Sequence, residues 1–89
     1  MGFFDFLNPK KAIEKKISAV VHEKIGGSLG DIKAMTDRTE RRHKLQDLVE
    51  REMRAQANTI IPGPLQKHSN KIIESAAVNL VNELDAQFD

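Results

Sequence analysis

The side chains of this 89-residue sequence that suit acid–base, nucleophilic or metal chemistry include three histidines, thirteen acids and scattered serines and threonines, with no cysteine. Glu40-Arg-Arg-His43 has the Glu-x-x-His spacing that puts two metal ligands on one helical face, as in di-iron helical bundles. Such a centre needs a second copy of the motif and two further inward carboxylates, and Arg41 and Arg42 would repel a cation. His22-Glu23 begins like a zinc-protease helix, but Gly26 stands where the second histidine is required. Gly26-Gly27-Ser28-Leu29-Gly30 suggests a phosphate loop, yet it follows a helical pattern, not a strand, and Asp31 stands where a lysine is wanted. His22, His43 and His68 fall on three different segments, so no Ser/Thr–His–carboxylate cluster is marked, and His68 reads as a solvated first-turn residue. The expectation is therefore no catalytic residue, no metal, no cofactor and no small-molecule substrate: not an enzyme.

The elements that would position these residues are helical. Asn8-Pro9 reads as an N-cap followed by proline at the first helical position. Ile13, Ile17, Val20, Val21 and Ile25 then recur at helical spacing, which predicts a helix over about 9–25. Gly26 and Gly27 are expected to end it in a left-handed backbone. Asp31 can cap a second helix over about 31–58, which Pro62-Gly63-Pro64 cannot extend. Asp37 and Glu40, three apart behind Thr36, offer a second start inside it, so a break near 36 is an alternative. Leu65, Ile72, Ile73, Ala76, Ala77, Leu80, Val81, Leu84 and Phe88 trace a third helix over about 65–87. Its apolar arc is wide enough to face two neighbours. No segment alternates with period two, so no sheet is expected. The fold class is all-α: an antiparallel helical hairpin or three-helix bundle, one domain over 1–89, with oligomerisation as a means of completing a thin core.

Composition narrows the setting. The apolar set is aliphatic, with eight Ile, seven Leu, five Val and eight Ala against four Phe and no Trp or Tyr. Absence of cysteine removes disulfides, on which small secreted domains often depend, so a cytoplasmic or virion-internal place is expected and secretion is not. No apolar run approaches the roughly 20 residues that span a bilayer. A net charge of +1 is far from that of a dedicated nucleic-acid binder. The charge is uneven, however: five lysines against three acids in 1–30, seven basic against six acidic in 31–61, and two against four in 62–89.

Two anomalies remain. At 100° per residue Arg38 and Arg42 share a face with Leu45, Val49, Met53 and Ile60, and Arg41 lies beside it. A broken helix would leave these arginines solvated. Otherwise they would pair with the acids Glu74, Glu83, Asp85 and Asp89 of another copy or a partner, or meet phosphate through the Arg38 to Lys44 segment. The second anomaly is MGFFDFL, residues 1–7, with three of the four phenylalanines in the first six positions. Phe3, Phe4, Phe6 and Leu7 could fill a groove on another subunit. They could instead insert in a membrane beside Lys10, Lys11, Lys15 and Lys16, or cap the protein's own bundle opposite Phe88. Myristoylation is not expected, since Phe6 stands where Ser or Thr is wanted.

These features point to a non-enzymatic, oligomeric protein-protein interaction or assembly module, including a structural component of a larger complex or phage particle. Its contacts would be Phe3, Phe4, Phe6, Leu7, Arg38, Arg41 and Arg42, and its partner a protein or further copies of itself. A peripheral membrane protein using the Phe-rich, Lys-flanked N-terminus is the first alternative. A nucleic-acid binder using Arg38 to Lys44 is the second.

Overall fold

A computed structural model describes residues 9–88. Helix α1 spans Pro9–Ile25, α2 Leu29–Lys33, α3 Arg38–Ile60 and α4 Ser69–Phe88. Single 3-10 segments, Gly26–Ser28 and Gly63–His68, lie before α2 and α4. The three long helices pack mutually into an all-α three-helix bundle of 41 × 25 × 20 Å. Arg41, at the start of α3, bonds to Asp85, near the end of α4, so these two helices run antiparallel.

The core follows from the aliphatic periodicity. Ile13, Ile17, Val21 and Ile25 of α1 meet Leu45, Val49, Met53 and Ala57 of α3. Helix α4 buries Ile72, Ile73, Ala76, Ala77, Leu80, Val81 and Leu84, and packs against both neighbours, as its wide apolar arc requires. Phe88, Leu65, Leu48, Ile60 and Leu29 lie partly buried at the margins.

The segment expected as one helix over 31–58 is two. Asp37 Oδ1 accepts from the backbone N–H of Thr39 (2.9 Å) and Glu40 (3.2 Å), so Asp37 caps α3 and the exposed Asp31 does not begin it. This cap contributes about 1 kcal/mol. The preceding α2 is a single short element held by the buried Ile32, and the chain turns through Ala34 to Asp37. With the helix broken here, α2 places Ile32 in the core. Helix α3 continues to Ile60, where Ile61 turns extended ahead of Pro62. Gln66 Nε2 then donates to the carbonyl oxygens of Ala57 (3.4 Å) and Ile61 (2.6 Å), which ties the turn to the end of α3. Residues 65–68, expected as the first turn of the last helix, are 3-10 instead.

Gly26 and Gly27 also differ from expectation. No glycine among the described residues has positive φ, and Ile25 leads into the 3-10 turn at φ −90°, ψ −3°. The backbone at Gly26 and Gly27 stays right-handed because a further helical turn, α2, follows at once, and the chain turns back only between α2 and α3. A Cβ on Gly30, inside α2, would meet nothing within 4 Å. Gly30→Ala is therefore expected to stabilise the fold by about 0.5–1 kcal/mol, mainly by restricting the unfolded chain. Thermal denaturation should show a rise of a few degrees; a fall would contradict the right-handed path.

Candidate interaction surfaces

The charge expected to line the core face of α3 resides on one arginine, Arg41, which is 6% exposed. Arg41, Leu45, Val49, Met53 and Ala57 recur every four residues, and all are buried. Helix packing follows such inclined i+4 ridges, not a straight wheel projection. Arg38 and Arg42 consequently fall outside the buried row, and both are exposed. Arg41 Nε (3.2 Å) and Nη2 (3.1 Å) both donate to Asp85 Oδ1, and the guanidinium lies 5.5 Å from the Phe88 ring centroid. Arg42 Nη1 reaches Asp85 Oδ2 at 3.4 Å, and its Nη2 donates to Asn82 Oδ1. The acid that Arg41 and Arg42 meet, Asp85, belongs to the same chain, whereas the acids were expected on another copy or a partner. Arg41 is a buried tie between α3 and α4, not a side chain presented to a partner. No buried side-chain polar atom among the described residues lacks a hydrogen-bond partner.

A groove of about 390 Å³ runs along the seam of α1 and α4. Buried Ala76 and Leu80 form its floor, and Ser18, Ala19 and Asn79 keep its walls low. Asn79 also borders a second depression containing Val78, whose 54% exposure makes it an unshielded apolar side chain on α4. Lysine and glutamate rim the groove: Lys15 on α1, Glu83 on α4. Sequence reasoning missed this surface. Its signal was the coincidence of small residues, Ser18-Ala19 on one helix and Ala76 on another, which takes on meaning once the two helices are known to be neighbours.

A cationic end is the third feature. His68, half-buried before α4, is held below its ordinary pKa of 6.5, first by that partial burial and then by the positive charges of Lys10, Lys67 and Lys71. Lys10 belongs to the first turn of α1, so α1 and α4 begin at the same end of the bundle. Neither helix has an acid in its first turn.

Phe3, Phe4, Phe6 and Leu7 lie outside the described residues. Glu40 and His43 are both exposed on α3, and no group of three or more His, Asp or Glu suited to a metal ion occurs among the described residues. His22 borders the seam groove, far along the chain from His43 and His68. No described helix is long and apolar enough to cross a membrane. Comparison with known proteins yields no matching family, no matching curated protein and no matching solved structure.

Proposed function

We propose that this protein is a non-catalytic binding module that assembles with a protein partner or with further copies of itself, and that the α1–α4 seam is its contact surface. The observation that supports this reading is the seam itself: an open groove with an Ala76 and Leu80 floor, low walls, a charged rim and the exposed Val78 beside it. An apolar floor within a polar rim is the usual anatomy of a protein contact. Small residues at a helix seam let a partner's backbone come close, as a helix or peptide lying in a groove must.

Photo-crosslinking tests it. A photoreactive residue in place of Ser18 or Asn79 should give discrete protein adducts, or a crosslinked dimer, in cells of the native host. The same residue at Arg51, exposed on α3 and outside this groove, should give neither. Equal labelling from all three positions, or none from 18 and 79, would overturn the assignment.

A further inference from the structure

The seam groove carries its charge at its two ends. Helices α1 and α4 start at the same end of the bundle, so the rise of about 1.5 Å per residue sets the level of each lining side chain. Lys11 and Lys15 lie about 3 Å and about 9 Å along α1, and Glu14 between them leaves that end net positive. Glu83 lies about 21 Å along α4 and makes the far end negative, with His22 at the same end about 20 Å along α1. Ser18, Ala19 and Asn79 stand between, at about 14–15 Å, and none of them is charged.

The uncharged middle continues over the outer face of α4. Its exposed positions between Glu74 and Glu83 are Ser75, Val78, Asn79 and Asn82. The exposed face of α3 is the contrast, with Glu40, Lys44, Asp47, Arg51 and Arg54 at successive turns. Depletion of charge around an apolar side chain distinguishes the part of a surface that a protein covers from a solvated face. Val78 is that side chain, and it sits about 14 Å along α4, level with the middle of the groove.

We propose that the occupant of the seam is a second copy of this chain, laid antiparallel by a two-fold axis that crosses both helices at the level of Ser18 and Asn79. The proposal rests on the seam being the contact surface and adds what covers it. In an isologous dimer one patch meets itself, so it must be its own complement. An axis at about 15 Å exchanges the level of Lys15 with that of Glu83, each about 6 Å away from it, and sets the positive end of each copy against the negative end of the other. A two-fold axis along the helices would instead set like charge beside like. An unrelated partner would have to reproduce this charge pattern, whereas the chain already bears it. The apolar floor is short and already buried, so the dimer belongs to the weak class that buries less than about 1,200 Å² in total, and dilute protein is monomeric.

The test is sedimentation equilibrium of the purified full chain over about a hundred-fold range of concentration reaching about 1 mM. A reversible dimer is expected at the upper end. Lys15→Glu alone and Glu83→Lys alone should each weaken self-association at least about ten-fold, because like charges then meet twice in every dimer. Mixed in equal amounts, the two variants should form a heterodimer about as tight as that of the parent, since each supplies the charge that the other lacks. An ion pair within one chain cannot produce that recovery. Both positions are exposed, so unchanged circular dichroism and melting should accompany each variant. A parent chain that stays monomeric, single variants that associate as the parent does, or a mixture that stays monomeric would each overturn the proposal. If the monomeric chain still crosslinks to other host proteins from positions 18 and 79, the seam stands as the contact surface and the second copy falls; silence from both positions removes the seam as well.

Discussion

Replacing Asp85 by alanine is expected to destabilise the bundle by about 3 kcal/mol, because it leaves the Arg41 guanidinium buried without its counter-charge. The side chain of Arg41 is 7% exposed and that of Asp85 21%, so the pair is largely shielded while its carboxylate keeps some contact with water. That residual exposure places the loss at the lower end of the range for broken buried pairs. In a domain of this size about 3 kcal/mol corresponds to a fall in Tm of about 15 °C. The companion variants separate the pair from the charge. Arg41→Met removes the buried cation and keeps most of the side-chain volume, so it should cost far less than Asp85→Ala. The double variant Arg41→Met/Asp85→Ala should recover most of the single carboxylate loss. Chemical denaturation of all four proteins gives the coupling directly. Additive losses, or an Asp85→Ala protein that melts with the parent, would show that the contact is a surface ion pair of little worth.

The same pair shows how far the sequence could be read. Helix locations were legible from side-chain period: the apolar rows of α1 and α4 reappear in the core almost residue for residue, because burial of aliphatic side chains dominates the energetics of so small a fold. The inner row of α3 was legible in outline but misplaced in its first turn. A flat 100° projection aligns Arg38 and Arg42 with Leu45, whereas packing follows the inclined ridge 41, 45, 49, 53, 57. Which arginine is buried depends on where α4 crosses, and that is tertiary information. The break ahead of α3 was present as an alternative, Asp37 with Glu40, and it prevailed because a shorter helix lets Ile32 return to the core. Gly26-Gly27 misled for a different reason. Glycine permits a left-handed cap without demanding one, and here the chain continues into another helical turn.

The candidate surfaces were less legible than the fold. Nothing in the spacing of Lys10, Lys67 and Lys71 predicts that all three act on His68, since Lys10 is separated from the others by two whole helices. The parallel course of α1 and α4 brings the start of both helices to the end where His68 lies. That course follows from two short connections, each reversing the chain. The seam groove arises in the same way, from small residues on helices that are first and last in sequence. Arg38, Arg41 and Arg42 were conspicuous because they interrupt an apolar pattern, and at Arg41 the interruption proves to be satisfied internally, by Asp85 and the Phe88 ring. An anomaly of pattern thus marked a structural tie, while the seam groove is formed from residues unremarkable in the chain.

The largest loss is expected where α3 bears on both neighbours. Leu45 is completely shielded from solvent and follows Arg41 by one turn along the buried ridge, with Val49 and Met53 beyond it. Leu45→Ala removes three carbons from a close-packed interior that can relax only in part, so the lost transfer energy and the residual cavity add to about 3–4 kcal/mol. Small domains have total stabilities in the lower part of the 5–15 kcal/mol range, so such a variant should be partly unfolded near body temperature. Val78→Ala provides the contrast. Val78 is an exposed apolar residue of α4, and alanine has the higher helix propensity, so its removal should leave stability unchanged or improve it by a few tenths of a kcal/mol. Leu45→Ala deletes three carbons and Val78→Ala two from helices of the same bundle, and burial makes the first loss costly while the exposed second is nearly free. Denaturant midpoints measure both. If Val78→Ala lowered stability as Leu45→Ala does, Val78 would have to be buried in the protein as it exists in solution, which is the result expected if the α4 face associates with a second copy at the concentrations used. Repeating the melt over a hundred-fold dilution distinguishes the cases, since stability gained from association falls with concentration whereas that of a closed monomeric core does not.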